Sequence, residues 1–285
     1  MKTRCIAAIF LGLLTITLHA DESGGSKVDP DQSVWITSIA PAGDGSFVAG
    51  VVTDLHTRPA AVSRFHQDSP NQLEEIFQMP AAVWTIAVSS DGKTIAGGDY
   101  KGNLVVYDVA SENASSHENA FEGWCQKIVM SPDDGVIVAG NESGKLFTWN
   151  LDDAKVSKTV ELCEASITSL AFSPGENQLA ATDGDGKVHL LKWPELESIG
   201  TISVSDVTAW CVAYKDESTL VIGSEDRNLY HCQAKPDAKP DSIAKGGDWI
   251  TRIAVSEDGQ IAASEVSGKI HFAIGGIITN IGDES

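Results

Sequence analysis

The sequence predicts an all-β protein, a β-propeller of six four-stranded blades, and two observations lead to this prediction. One segment recurs along the chain at an almost constant interval, and each copy alternates large and small residues as a β-strand does. A repeated turn position recurs at spacings of 42, 42, 42 and 41 residues, in Ser89, Ser131, Ser173, Lys215 and Ser256. A unit of this size cannot bury its own apolar face, so the copies must pack against one another in one domain.

Each copy begins with a strand of clear period-2 alternation. Large residues such as Ile86 and Val88 take every second position, while small residues such as Ala87 lie between them. This pattern places the large side chains on one face of the strand. The six first strands are predicted to start near Trp35, Val83, Cys125, Ile167, Ala209 and Ile250.

Two further strands follow in each copy. The second strands are predicted over residues 47–51, 95–98, 137–140, 179–182, 220–223 and 261–264. The third strands are predicted to end at Phe65, Tyr107, Trp149, Leu191, Cys232 and Ala273. In five copies a tight turn joins the two, starting at Asp99, Asn141, Asp183, Ser224 and Glu265. Glycine in four of these turns suits the positive φ that hairpins require.

The fourth strands carry a weaker pattern, with candidates over residues 72–77, 157–160, 198–203 and 277–281. Between Asp108 and Trp124 the polar sequence predicts a loop instead. Four short strands repeated at this length suit a β-propeller. Six units fill residues 35–281, so seven blades are the weaker alternative, and the last blade is expected to close without a strand lent by the N-terminus.

Residues 1–20 are predicted to be a signal peptide. Lys2 and Arg4 precede an apolar run from Ile6 to Leu18, and Leu-His-Ala before Asp21 is a plausible cleavage site. The apolar run is shorter than the roughly 20 residues that cross a bilayer, so an uncleaved anchor is the weaker interpretation. The predicted layout is a signal peptide (1–20), a flexible linker (21–33) and one propeller domain (34–285), exported to a periplasmic or extracellular location.

The net charge of -20 opposes binding to nucleic acid, which depends on Lys and Arg contacts to phosphates. It suits a soluble exported protein whose copies repel one another. Four cysteines remain after cleavage: Cys125, Cys163, Cys211 and Cys232. An exported protein can form disulfides, but three of these residues replace apolar ones in their repeats, which favours buried free thiols.

Three segments carry a family resemblance: VSSDGKTIAGGDYKGNLVVYD, MSPDDGVIVAGNESGKLFTWN and AFSPGENQLAATDGDGKV. They resemble WD-repeat blades, with Tyr107-Asp108 and Trp149-Asn150 where the Trp-Asp pair of that family stands. The chain departs from the family because no copy has the Gly-His pair before its first strand. The family's His-Asp-Trp hydrogen-bond networks are therefore not expected. The resemblance implies a propeller whose first strands line a central channel.

Five of the seven tryptophans fall at the start of first strands. Trp35, Trp124 and Trp249 share one repeat position, and Trp84 and Trp210 share the position two residues later. The resemblance implies a partial ring of tryptophans at one rim, with the turns that carry Asp99, Asp183, Asp185 and Glu225 on the same side. One interpretation is that the indoles wedge between blades. The other is a docking surface, rimmed by carboxylates, for a partner protein or peptide, including a basic one.

Other candidate chemistry has simpler explanations. The Asp183-Gly-Asp-Gly segment has carboxylates that suit calcium, but its position favours a hairpin turn. His189, His231 and His271 lie on third strands, where packing or exposure is expected rather than a metal site. No catalytic motif, metal site or cofactor site is predicted, so the leading hypothesis is a non-catalytic interaction scaffold. The alternative is an enzyme or small-ligand binder that uses the channel.

Overall fold

The computed structural model describes residues 35–52, 56–256, 258–274 and 277–281. The predicted signal peptide and linker lie outside the described residues. No helix in this part of the chain is long and apolar enough to cross a bilayer.

The first three sheets contain twelve strands, and each sheet is antiparallel with its strands in chain order. The first contains β1 (Trp35–Pro41), β2 (Ser46–Val52), β3 (Ala60–His66) and β4 (Ser69–Met79). The second contains β5 (Val83–Val88), β6 (Thr94–Asp99), β7 (Leu104–Asp108) and β8 (Asn113–His117). The third contains β9 (Cys125–Met130), β10 (Val136–Asn141), β11 (Lys145–Asn150) and β12 (Lys155–Glu161).

The other three sheets have the same order. The fourth contains β13 (Ile167–Phe172), β14 (Gln178–Asp183), β15 (Lys187–Lys192) and β16 (Ser198–Ser203). The fifth contains β17 (Ala209–Asp216), β18 (Thr219–Ser224), β19 (Asn228–Gln233) and β20 (Asp241–Lys245). The sixth contains β21 (Ile250–Val255), β22 (Ile261–Glu265), β23 (Ile270–Ile274) and β24 (Ile277–Ile281).

The fold-class prediction is confirmed: the described chain is all-β, with the six four-stranded antiparallel blades of a β-propeller. The described residues divide into two compact units, which we call the first unit (up to Met130) and the second unit (from Ser131). The division falls after β9.

Two fourth strands were not predicted. The prediction of a loop between Asp108 and Trp124 is wrong, because β8 pairs with β7 from Leu104↔His117 to Asp108↔Asn113. Its sequence NASSH is almost wholly exposed. An outer strand with few buried side chains needs no apolar alternation, so the pattern that marks a strand is missing. The same holds for β20, which pairs with β19 and has no fully buried side chain.

The repeated serine has a clear structural role in the turn between first and second strands. Its hydroxyl accepts a hydrogen bond from the backbone N–H at the start of the second strand in four copies, at 2.9 to 3.2 Å. The donors are Thr94, Val136, Gln178 and Gln260. Serine recurs at this position because its short hydroxyl reaches back to the local backbone.

Glycines on the second strands let consecutive sheets approach closely. A Cβ atom at Gly50 would lie 2.4 Å from Val83 Cγ1, and one at Gly140 would lie 2.5 Å from Ile167 Cγ2. Val83 and Ile167 begin the first strands of the following sheets, so the missing side chain makes room for the neighbour. Within the first unit the resulting core includes the buried side chains of Val48, Ile86 and Ile95.

The second unit holds two more apolar clusters. One contains Leu190, Val212 and Ile222, and the other contains Val221 and Ile250. Val221 and Ile222 are adjacent on β18 and lie in different clusters, because successive side chains of a strand point to opposite faces. The fifth sheet is therefore buried on both faces of β18, whereas its outer strand β20 has no buried side chain.

Candidate functional site

The first strands carry a β-bulge at the same repeat position in five sheets, and sequence reasoning missed it. The strand pairing skips one residue near the start of β1, β5, β13, β17 and β21. The skipped residues are Thr37, Trp84, Thr168, Trp210 and Thr251. A bulge re-aims its side chain and interrupts the alternation of faces. The orientation of Trp84 and Trp210 therefore cannot be read from their parity with Ile86 and Val212.

Two of the bulged threonines, Thr37 and Thr168, bind the next sheet. Thr37 Oγ1 donates to the carbonyl oxygen of Val83 at 2.6 Å. Thr168 Oγ1 donates to the carbonyl oxygen of Ala209 and lies 2.9 Å from Thr182 Oγ1. Trp84 and Trp210 occupy this position in their own sheets and place a large aromatic ring there.

In the first unit the bulged tryptophan belongs to an aromatic cluster. The ring centroids of Trp84 and Trp124 are 4.5 Å apart at 88°, an edge-to-face arrangement. Tyr100 lies 5.2 Å from Trp124, and His56 lies 5.2 Å from Tyr100 and 6.0 Å from Trp84. Such geometry is favourable beyond the area it buries. Trp84 and Trp124 therefore pack against each other while staying partly exposed, and the wedge interpretation describes them better than that of a free rim.

Trp35 and Trp249 are different, because they are the most exposed large apolar side chains that the structure describes, at 49% and 41%. In the second unit Trp249 stacks on Trp210, with centroids 5.9 Å apart and planes at 21°. The Trp249 carbonyl accepts a 3.1 Å hydrogen bond from Val266 N–H. Its backbone is therefore fixed while its indole faces solvent.

Two of the predicted rim carboxylates are not on the surface. Asp99 and Asp183 are fully buried inside their turns. Asp99 Oδ1 accepts from the backbone N–H groups of Lys101 and Asn103 at 2.8 and 2.9 Å, and Oδ2 accepts from the Asn103 side chain at 2.8 Å. These carboxylates stabilise the hairpins and cannot meet a partner.

Asp183 repeats this arrangement with a histidine as the third partner. Its Oδ1 accepts from the backbone N–H groups of Asp185 and Lys187 at 3.0 and 2.9 Å, and its Oδ2 lies 2.7 Å from His189 Nε2. Burial raises the pKa of Asp183, but the hydrogen bonds from His189 and the backbone outweigh burial, so the pKa is lowered.

The other two predicted carboxylates are accessible. Asp185 is exposed and Glu225 is partly exposed. Both lie on turns that touch the loop before β17: Thr208 Oγ1 donates to the Gly184 carbonyl at 3.4 Å, and Glu225 N–H donates to the Thr208 carbonyl at 2.9 Å. The loop also carries Val207, which is 38% exposed. Within the second unit, an apolar side chain is thus flanked by turns that bear acidic groups.

Two of the three third-strand histidines are buried beside a turn carboxylate. His189 and His271 are buried, and His271 Nε2 lies 2.6 Å from Glu265 Oε1, as His189 does from Asp183. His231 is partly exposed, and its Nε2 lies 3.9 Å from Asp241 Oδ2. The equal spacing of six residues from carboxylate to histidine in the two hairpins was visible in the sequence and could have indicated these pairs.

The four cysteines of the described chain are free. Cys125, Cys211 and Cys232 are buried, as expected for residues in apolar repeat positions, and Cys163 is half-buried. Burial raises the pKa of Cys163 and of Cys232 to about 11, with help from Asp183 and Asp241 respectively. Both thiols are protonated at neutral pH and are therefore weak nucleophiles.

Comparison with known families adds one match. The family described as WD domain, G-beta repeat (WD40) matches residues 155–191, which run from β12 to β15. These findings support a WD-repeat β-propeller.

No curated protein matches the chain. The WD-repeat propeller fold is typical of protein-interaction scaffolds, and its members commonly bind other proteins. The turn carboxylates of the fourth and sixth sheets are paired with histidines of their own third strands.

Proposed function

We propose that this WD-repeat propeller is an exported, non-catalytic scaffold that binds another protein through its exposed tryptophans. The observation that supports the proposal is the exposure of Trp35 and Trp249, at 49% and 41%. Tryptophan is among the residues that most often dominate the energy of protein interfaces. An exposed indole keeps apolar surface in contact with water, which is unfavourable. A bound partner would remove that contact.

The surroundings favour a partner that carries Lys or Arg. The chain has a net charge of -20, and the accessible carboxylates Asp185 and Glu225 lie on turns of the second unit. A cation over an indole face gains about 0.5–2 kcal/mol, depending on how far it is desolvated. Long-range attraction to an acidic protein would also speed the encounter of a basic partner.

The repeats themselves supply substitutions that the fold already accepts. Trp35 shares its position with Ala82, and Trp249 shares its position with Thr208. The double variant Trp35→Ala, Trp249→Thr therefore removes both exposed indoles while keeping residues that other blades use. Trp84 and Trp124 are left in place because their edge-to-face contact contributes to packing. Leu73→Ala is the matched control, since Leu73 is 38% exposed on the outer strand β4.

The test is a pull-down from the exported fraction of the source cells with wild type, the tryptophan variant and the Leu73 control. We expect one or more proteins to be captured by wild type and control and lost with the tryptophan variant. Capture should weaken at raised salt if the partner is basic. Capture that survives removal of both indoles contradicts the proposed role of the exposed tryptophans. Recovery of the protein only from the cytoplasm contradicts export, which rests on residues 1–20 of the sequence.

A further inference from the structure

Three side chains with different metal-binding groups converge in the fourth sheet. The thiol of Cys163, the carboxylate of Asp183 and the imidazole of His189 offer ligand atoms that all lie within 4.8 Å of one another. Asp183 and His189 are buried, and Cys163 is half-buried. Thiolate, imidazole and carboxylate are the three ligand types that proteins use for Zn²⁺.

One hairpin and one loop position these three groups. Asp183 ends β14 and His189 lies on β15, so the hairpin brings them together. Both backbone donors of the turn bind Asp183 Oδ1, which leaves Oδ2 directed at His189 Nε2. Cys163 lies in the loop between β12 and β13, where its Sγ donates to the Ala165 carbonyl at 3.1 Å. Backbone contacts thus hold Asp183 Oδ1 and Cys163 Sγ, while Asp183 Oδ2 and His189 Nε2 contact each other.

The fifth sheet shows that the hairpin needs no metal ligands to form. Ser205 there takes the place of Cys163, and its Oγ donates to the Val207 carbonyl at 2.8 Å. Ser205 Oγ also lies 3.0 Å from Ser224 Oγ, at the position of Asp183. Tyr230 stands where His189 does, since the pairing Ile222↔Tyr230 is equivalent to Ala181↔His189.

The sixth sheet keeps only part of the set. It has Glu265 and His271 at the carboxylate and imidazole positions, and the loop opposite them contains Gly246 and Gly247 rather than a thiol. Across the described residues, Cys163, Asp183 and His189 form the single cluster of three such ligands.

We propose that Cys163, Asp183 and His189 form a Zn²⁺ site. One thiolate and one carboxylate neutralise the ion, so the occupied cluster carries no net charge, which suits its buried position. Metal–ligand lengths of about 2.0–2.3 Å separate the ligand atoms of a tetrahedral site by roughly 3.3–3.8 Å. The ligand atoms lie within 4.8 Å of one another, and binding requires the 2.7 Å contact between Asp183 and His189 to open by about 0.6–1.1 Å.

The surroundings allow entry and a fourth ligand. Cys163 lines an open cleft of about 600 Å³ together with Glu142, Glu161 and Glu164. Acidic groups at the mouth of a cleft raise the local concentration of a divalent cation. A water molecule from the cleft can complete the tetrahedron. On binding, the thiol proton passes to solvent, and His189 offers the Nε2 lone pair with its proton on Nδ1.

The test uses the purified protein with Zn²⁺ and with Co²⁺ as a spectroscopic substitute. We expect one Zn²⁺ per chain by elemental analysis after chelator treatment and reloading. Co²⁺ should give a thiolate-to-metal absorption band in the near ultraviolet and tetrahedral bands in the visible. Zn²⁺ should also raise the melting temperature, because it binds the folded state.

Matched variants separate the metal site from the hairpin. Cys163→Ser copies Ser205, and Asp183→Asn copies Asn141, whose Oδ1 binds Ser143 and Lys145 N–H at 3.0 Å each in the same turn. Both should fold. Cys163→Ser should abolish the charge-transfer band, and both should weaken Zn²⁺ binding by about tenfold or more. Cys211→Ser changes another buried thiol and should bind as wild type does.

Each of two results would overturn the proposal. The first is a wild-type protein that takes up no stoichiometric Zn²⁺ and gives no Co²⁺ charge-transfer band. The second is equal binding by wild type and Cys163→Ser, which would place the metal elsewhere. Partner capture is independent of both results, because neither Trp35 nor Trp249 belongs to the cluster.

Discussion

Asp99 illustrates how much a turn depends on one buried carboxylate. Its two oxygens accept three hydrogen bonds, two from backbone N–H groups and one from Asn103. Asp99→Ala leaves those donors buried without a partner and should lower the free energy of unfolding by about 2–4 kcal/mol. Asp99→Asn keeps the two backbone bonds and loses one side-chain bond, so about 1 kcal/mol is expected.

Urea unfolding of the two Asp99 variants measures this difference. Asn141 is the natural precedent for the milder change, since its Oδ1 binds the turn of the third sheet in the same way. If Asp99→Ala and Asp99→Asn both lower the free energy of unfolding by the same small amount, the carboxylate does not stabilise the turn.

At the scale of single residues, sequence could place the tryptophans on first strands and the acidic residues in turns. It could not orient them. The bulges at Trp84 and Trp210 break the alternation, and a bulge has no fixed residue signature when threonine and tryptophan both occupy it. A turn aspartate can face solvent or its own backbone, and only the structure shows that Asp99 and Asp183 face inward.

At the scale of elements, the turns between first and second strands couple stability to pH. The pKa of Asp133 is lowered first by its hydrogen bond from Ser131, and that of Asp258 by its hydrogen bond from Ser256. Asp91 has a pKa of about 2, owing first to Lys93 and then also to Ser89. All three lie below the ordinary value of 3.8, so the unfolded chain binds protons first as the pH falls.

These carboxylates therefore stabilise the fold fully above about pH 4, and their contribution is lost as the pH falls from about 4 towards about 2. Urea midpoints measured between pH 2 and pH 6 should decline on the acid side. The double variant Ser131→Ala, Ser256→Ala removes two of the hydrogen bonds and should make that decline shallower. A decline as steep as that of wild type would mean that these turns do not contribute to it.

Most of the strands could be predicted because burial of one strand face produces a periodic pattern in the sequence. The six first strands begin where the alternation predicts, and the second and third strands fall within one or two residues of the predicted bounds. Strands β8 and β20 were not predicted because most of their side chains face solvent. Such strands need no alternation of apolar residues, so the sequence carries no strand pattern. Hydrogen bonding to one neighbouring strand is enough to keep them extended.

At the scale of the whole molecule, the chain carries 40 acidic and 20 basic side chains, and this imbalance acts on stability. Described ion pairs such as Lys93–Asp91 and Lys155–Asp153 are exposed, and pairs of this kind contribute little. Repulsion among the excess carboxylates therefore outweighs these attractions. It destabilises the compact state, in which the charges are closer together than in the unfolded chain.

Salt should consequently stabilise this protein at neutral pH. The screening length falls from about 30 Å at 0.01 M to about 8 Å at 0.15 M ionic strength, which weakens repulsion between distant carboxylates more than contact between paired ones. We expect the melting temperature to rise over that range of NaCl at pH 7. The rise should vanish near the isoelectric point of about 4.5, where the net charge is close to zero. A melting temperature that falls with salt at pH 7 would show that the exposed ion pairs, and not the excess negative charge, dominate the electrostatic free energy of folding.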